Sequence, residues 1–375
     1  MNTTIPEVQT AVVSGVGFIT LNRPRALNAL SLSMIRALWG TLCAWRDDPA
    51  VLAVAIRGAS KAALPGSEDV LLGDFCAGGD IRFFYQAALA GDSALDDFFT
   101  EEYRLDYLIH TYPKLYIAFM DGVVMGGGMG ISQGARLRIV TERTRMAMPE
   151  TGIGLFPDVG GGYFLSRCPG HVGAYLALTG EVISGAQALA CGLADVCLPA
   201  SELPRLWAAL QTQGMAAVLP YLNTMEKIAY SARFTGLSGY FDTNVLAAFS
   251  LESVPAIVAA LQVQDSPSAR ATLATLRQRS PLMLHVVLEQ LRRARHMALV
   301  DVLRMERDMV WHCFYPRHLG RSAAASEVVE GIRALAIDKD GQPRWNPVYL
   351  EEVTVAMVAP FFISPWDAAQ HPLAV

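Results

Sequence analysis

Two carboxylates stand out for the company they keep. Glu150 lies in AMPETGIG and Asp158 in LFPDVGGG, eight residues apart. Met148, Ile153, Leu155 and Phe156 surround them, and Pro and Gly break the local chain. A carboxylate buried among such residues loses hydration, which disfavours its charged form and raises its pKa. It can then act as an acid or a base near neutral pH. A purely structural use fits as well. Asp158 precedes GGGYFL, which reads as a helix start, so its side chain is equally a plausible N-cap. Spacing alone leaves both readings open.

Two glycine clusters offer a complementary chemistry. Phe75-Cys76-Ala77-Gly78-Gly79-Asp80 follows a loop and precedes a helix, and Met125-Gly126-Gly127-Gly128-Met129-Gly130 joins a strand to a helix. Glycine lets the backbone come close to a ligand and take positive φ. The free N–H groups of a helix start favour negative charge. Two such turns facing each other would make an oxyanion hole, in which each donor is worth about 3–4 kcal/mol in the transition state. Either cluster by itself also reads as an ordinary tight turn. GGGMG lacks the lysine of a phosphate loop and the spacing of a dinucleotide fingerprint. Glu102, in FFTEEYRLDYLI, has apolar Phe99, Leu105 and Leu108 at helical spacing, although paired charges such as Glu101 and Glu102 are ordinarily solvated. The seven histidines do not pair at metal-ligand spacing, so no metal site is expected.

The elements that must position these residues can be read in outline. AVVS and GFITL, joined at Gly15, predict a hairpin. Ser31 reads as the N-cap of a helix to about Trp45, with Leu32, Ile35, Leu38 and Leu42 on one face. LAVAIRG and KLYIAFM are short buried strands, and Pro65 and Gly66 mark a polar loop continuing to Gly73. Helices are expected from about Ile81 and from Ala94 to His110, and short strands at RLRIVTE, RMAM and ADVCLP. After Pro199 helical patterns dominate. The expected division is therefore residues 1–200 as an α/β core and 201–375 as a helical C-terminal region.

Composition narrows the function classes. The chain has 375 residues, 52% hydrophobic and 17% charged, with a net charge of −5. That supplies a large core and disfavours a nucleic-acid-wrapping protein. Six cysteines without a C-x-x-C pair suit a reducing compartment. No run of eighteen apolar residues free of Gly, Pro or charge predicts a membrane span. With no evident targeting segment, a cytoplasmic location is expected.

Taken together, FCAGGDI and GVVMGGGMG, about fifty residues apart, resemble the crotonase (enoyl-CoA hydratase/isomerase) superfamily. Within it MPETGIGLFPDVGGGYFL is similar to the 3-hydroxyisobutyryl-CoA hydrolases. SPLMLHVVLEQL and EGIRALAIDKDGQPRW look like their C-terminal extension, and the likeness runs from about residue 8 to 350. It implies a crotonase-like ββα spiral core with a helical C-terminal region that completes the active site. It implies a short-chain acyl-CoA hydrolase, with 3-hydroxyisobutyryl-CoA of valine catabolism as the first substrate to consider. The N–H groups of Gly79 and Gly127 would bind the thioester oxygen. Glu150 would be the shared reactive carboxylate and Asp158 the hydrolase-type second one. Glu102 would line the acyl pocket. Arg25, Ala26 and Leu27, with Ala77 and Asp80, would cradle CoA. No metal or redox cofactor is implied, since CoA is part of the substrate. The expected partner is an acyl-CoA, without nucleic acid or membrane, and the family's trimers make a homo-oligomer an open expectation.

Gly130 stands where hydratases of the superfamily carry a further Glu, which argues against a standard hydratase. An isomerase acting through Glu150 alone remains a rival, as does a non-catalytic acyl-CoA-binding protein. The family's D-F-x-E-G string appears here as Glu327-Val328-Val329-Glu330-Gly331.

Overall fold

The structure, a computed structural model, describes residues 5–60, 73–227 and 236–373. The loop expected around Pro65 and Gly66 lies outside them. The chain forms two compact units that interleave along the sequence. One comprises residues 1–79, 105–146 and 183–236, and the other residues 80–104, 147–182 and 237–375.

The first unit is built on strands. β1 (Val8–Val13) and β2 (Val16–Leu21) form the expected hairpin, turning through Ser14 and Gly15, both at positive φ. β3 (Ala53–Gly58), β4 (Leu115–Met120), β6 (Leu137–Val140) and β9 (Val196–Cys197) extend it in parallel, giving the order β1-β2-β3-β4-β6-β9. A second sheet has the order β5-β7-β8, from Val123–Met125, Arg145–Ala147 and Ile183–Ser184. Period-two alternation selects one face of the large sheet. Val16 and Phe18, Ala53 and Ala55, Ile117 and Phe119, and Leu137 and Ile139 pack with Leu203, Leu206, Trp207 and Leu210. The Trp207 ring meets Phe18 at 4.9 Å and Phe119 at 5.2 Å, with Arg57 over its face. β2, β3 and β4 also bury their other face, which explains why they read as continuous apolar runs, whereas β1 is mostly exposed.

Helices fill the connections. α1 (Leu32–Asp47) begins at the expected N-cap, with the Met34 N–H donating to Ser31 Oγ at 3.2 Å. It buries Met34, Ile35, Leu38 and Leu42. α2 (Ile81–Ala90) and α3 (Ala94–His110) start where the sequence predicts, and α3 passes from the second unit into the first at Leu105. α4 (Gly127–Gln133), α5 (Gly161–Leu165), α6 (Val172–Thr179), α7 (Gly185–Ala190) and α8 (Leu203–Gln213) follow. Beyond them come α9 (Leu219–Lys227), α10 (Thr243–Ala248), α11 (Val254–Gln262), α12 (Pro267–Gln278), α13 (Pro281–Ala294), α14 (Leu299–Phe314) and α15 (Glu327–Ile332).

In the second unit, α2, α3 and α14 meet through rings. Phe84 contacts Phe98 at 4.8 Å, and Phe99 contacts Phe314 at 5.4 Å and Tyr103 at 6.2 Å. The first and last of these are edge-to-face and the Phe99–Phe314 pair is tilted; such contacts add to area burial and fix ring orientation. They set the rotation of α3 and so the direction of Glu102 and Tyr103.

Asn28 holds the first unit's loops. It is fully buried at φ 56°, a left-handed conformation that Asn tolerates. Its Oδ1 accepts from the Arg23 N–H at 2.9 Å, and its Nδ2 donates to the carbonyls of Asp74 at 2.6 Å and Ala59 at 3.1 Å. Asn28→Ala strands three part-buried backbone groups, each costing up to about 1–3 kcal/mol. We expect a lower urea midpoint with an unchanged slope; an unshifted midpoint would show that these bonds carry no net stability.

Candidate active site

The first unit joins the two glycine clusters through backbone bonds. The Cys76 N–H donates to the Val123 carbonyl at 2.9 Å, and the Met125 N–H donates to the Cys76 carbonyl at 3.0 Å. Cys76 thus forms an isolated parallel bridge with Val124 of β5. The approach is close enough to require glycine. A Cβ on Gly128 would lie 2.4 Å from the Cys76 carbonyl oxygen. Gly126 caps α4 at φ 49° and ψ −123°, a conformation that side chains avoid. A Cβ on Gly78 would sit 3.4 Å from the Gly127 nitrogen, so the two turns do converge. Neither Gly79 N–H nor Gly127 N–H has an acceptor among the described residues. Two free N–H groups at converging turns, one at a helix start, are what an oxyanion needs.

The same unit gathers most of the expected CoA cradle. Pro24–Ala26 form a turn of 3-10 helix closed by Leu27 at φ 51°. The Leu27 carbonyl accepts the Ala77 N–H at 3.0 Å, tying the turn with Arg25, Ala26 and Leu27 to the first glycine cluster. Arg25 and Ala26 are exposed, as a surface cradle requires. Asp80 opens the second unit as the N-cap of α2, its Oδ1 accepting the Phe83 N–H at 3.4 Å.

The second unit brings the carboxylates together. Glu150 begins a 3-10 turn, Glu150–Ile153, whose end at Gly154 has φ 71° and an N–H donating back to the Glu150 carbonyl. The Glu150 side chain is buried, and its Oε2 has no hydrogen-bond partner among the described residues. Burial first, then the charge of Asp158, holds its carboxyl well above the usual range. Asp158 is also buried, and burial pushes it up to about 6 although the Tyr103 hydroxyl donates to its Oδ2 at 2.8 Å. Tyr103 is itself fully buried and raised well above its ordinary value by burial and by Asp158, so it stays a donor. The helix-cap alternative for Asp158 does not hold: Gly160 is the residue capping α5, and the Asp158 side chain faces Tyr103 instead.

Glu102 is 2% exposed rather than solvated. Its carboxyl is raised well above the usual range by burial, then by Asp158 and Glu150, and its Oε1 lacks a partner. Helical spacing with Phe99 and Leu105 was the signal that it faces inward. Glu102, Glu150 and Asp158 are all buried in this unit, and the charge of Asp158 acts on both glutamates.

Two residues missed from sequence complete this group. The Glu306 carboxylate, on α14 and fully buried, accepts the Gly160 N–H at 2.7 Å and the Gly162 N–H at 2.9 Å. Gln290, on α13, donates from Nε2 to Glu306 Oε1 at 2.9 Å and to the Pro157 carbonyl at 2.7 Å. Their only sequence signal is a polar residue on an otherwise apolar helix face. The string Glu327–Gly331, a departure from the family pattern, forms most of α15 and packs on the Glu150 turn. A Cβ on Gly331 would lie 2.4 Å from the Ile153 backbone.

Among the described residues, no cluster of His, Cys, Asp or Glu could hold a metal ion, and no helix is long and apolar enough to cross a membrane.

A family model described as enoyl-CoA hydratase/isomerase matches residues 16–362. A protein named 3-hydroxyisobutyryl-CoA hydrolase, mitochondrial, from Xenopus tropicalis is 40% identical over 93% of this chain and 86% of its own length. One of the same name from Gallus gallus is 40% identical over 91% of this chain and 84% of its own. A solved structure named carnitinyl-CoA dehydratase, from Mycobacterium thermoresistibile, is 36% identical with a TM-score of 0.81, over 96% of this chain and 97% of that one. These names correct one expectation. The cytoplasmic location expected from the lack of an evident targeting segment is overturned by relatives named as mitochondrial hydrolases. The converging glycine turns, the buried carboxyls and the match along nearly the whole chain agree: the chain belongs to the enoyl-CoA hydratase/isomerase, or crotonase, family, alongside its 3-hydroxyisobutyryl-CoA hydrolases.

Proposed function

We propose that this protein hydrolyses a short-chain acyl-CoA thioester, with 3-hydroxyisobutyryl-CoA as substrate and 3-hydroxyisobutyrate and CoA as products. The observation that carries the reading is Glu150 with a buried, unpartnered Oε2 beside Asp158, in a chain so similar to hydrolases of that name. In this reading the N–H groups of Gly79 and Gly127 take the thioester oxygen as negative charge develops on it. Glu150 attacks the carbonyl and expels the thiolate to give a mixed anhydride that water then hydrolyses, releasing the acid and restoring the carboxylate, or it removes a proton from a water that attacks the thioester directly. The CoA thiolate leaves as a stable anion. Asp158, steadied by Tyr103, positions the acyl hydroxyl or exchanges the proton, and Glu102 lines the acyl pocket. Arg25, Ala26, Leu27, Ala77 and Asp80 hold CoA. The steps use no metal or redox cofactor, because CoA enters with the substrate. Residues 1–200 supply the acyl-CoA-binding core, and residues 201–375 complete the site, a role supported by Glu306 and Gln290.

The likeness to a dehydratase favours a second reading, enoyl-CoA hydration or isomerisation. Gly130 weighs against it, since α4 carries no carboxylate at the position where hydratases have one. Following thioester absorbance with crotonyl-CoA and a 3-enoyl-CoA separates the two activities.

Thiol release from 3-hydroxyisobutyryl-CoA tests the main reading. Glu150→Gln is expected to lower turnover by about a hundredfold or more. A native enzyme inactive on all short acyl-CoAs would end the hydrolase assignment, and full turnover in Glu150→Gln would end the role of Glu150. In a single turnover in heavy-oxygen water, label in the Glu150 carboxylate marks the anhydride route.

A second prediction follows from charge. Glu150 must be ionised to react, and its carboxyl is held high, so the acid limb of kcat/KM should lie above the ordinary Glu range. Asp158→Asn removes a negative neighbour and should move that limb to lower pH. A limb that stays in place would mean that the two groups are not coupled.

A further inference from the structure

We infer that Glu306, together with Gln290, is a positioning device that aims Asp158 by gripping the backbone on either side of it. The inference rests on the role proposed for Asp158. The loop from Pro157 to Gly162 carries that carboxylate and is not a relaxed conformation. Val159 has φ 53° and Gly160 φ 84°, two successive left-handed residues, the first of them β-branched and buried. A β-branched side chain at positive φ is a true outlier, and it persists only where its surroundings impose it.

The surroundings that impose it are identifiable. On the chain before Asp158, Gln290 Nε2 holds the Pro157 carbonyl at 2.7 Å. After it, the two Glu306 oxygens take the N–H groups of Gly160 and Gly162 at 2.7 and 2.9 Å. Gln290 also donates to Glu306, so the two grips form one connected network. The N–H groups of Gly160 and Gly162 lie at the start of α5, where no earlier turn of helix supplies acceptors. Glu306 fills that lack from α14, with both oxygens engaged. The fit is close: a Cβ on Gly162 would lie 3.0 Å from Glu306 Oε1 and 3.1 Å from Gln290 Nε2. Tyr103 then fixes the Asp158 side chain, while Glu306 and Gln290 fix its backbone. Glu306 reaches the reaction only through Asp158 and is not itself a catalytic residue.

The test is a double-mutant cycle on thiol release from 3-hydroxyisobutyryl-CoA by the full chain. Glu306→Gln places an amide donor where one N–H needs an acceptor. It should lower kcat by about ten- to hundredfold, the range that a displacement near 1 Å produces, with KM changed far less. Gly162→Ala should weaken the same grip from the other side, without a change of charge and without removing a buried carboxyl, and should lower kcat in the same way. Its thermal midpoint keeps the result readable if Glu306→Gln folds poorly. The deciding comparison is with Asp158→Asn. If Glu306 acts through Asp158, the double variant is no slower than Asp158→Asn alone. Losses that multiply would overturn the positioning role while leaving Asp158 its function. An Asp158→Asn enzyme as fast as the native one would remove the role of Asp158 and, with it, this inference.

Discussion

Desolvation of carboxyl groups is the constraint around which the second unit is built. Glu102, Glu150, Asp158 and Glu306 are all buried, and burial is the first cause of the raised pKa of each. Among the causes acting on them, none is a neighbouring cation. A protein that wanted only stability would pair or remove such groups, because an uncompensated buried charge is costly. The sign of that cost follows from the shifts. Groups held above their unfolded values add stability at pH below the ordinary carboxylate range. That contribution is lost as pH rises through about 6 for Asp158 and about 8 for Glu306.

What differs among the four is hydrogen bonding. Glu306 has three N–H donors on its two oxygens and serves the backbone. Asp158 has the Tyr103 hydroxyl and keeps the most moderate shift. Glu150 and Glu102 each keep an oxygen without a partner. Unpartnered buried acceptors are rare in native proteins, and a site awaiting substrate is one of the few settings that explains them.

The chain solves positioning with turns rather than long elements. Glu150 sits on a single 3-10 turn, Asp158 just before the left-handed pair Val159 and Gly160, and the Gly79 and Gly127 N–H groups on two glycine turns. Short turns allow close backbone approach but have little rigidity of their own. Rigidity comes from outside each turn: from Asn28 and the Cys76–Val123 bonds in the first unit, and from α15, Gln290 and Glu306 in the second. This division accounts for the long helical region that follows the strands.

Much of this was legible in the residues themselves. The Ser31 cap, the hairpin at Gly15, the starts of α2 and α3 and the short buried strands are local matters of capping, turn conformation and apolar run length, and the structure keeps them. The glycine clusters and the strings around Glu150 and Asp158 carried the family resemblance, because close backbone approach restricts which residues can stand there. Other features could not be read. Whether Glu102 was solvated or buried depended on what packed against α3. Whether Asp158 capped a helix or met a tyrosine depended on a contact spanning 55 residues. Glu306 and Gln290 lie 146 and 133 residues from the backbone groups they hold. Local sequence determines conformation and hydrophobic pattern; burial, and with it the pKa and role of each carboxyl, is decided only when distant segments close over it.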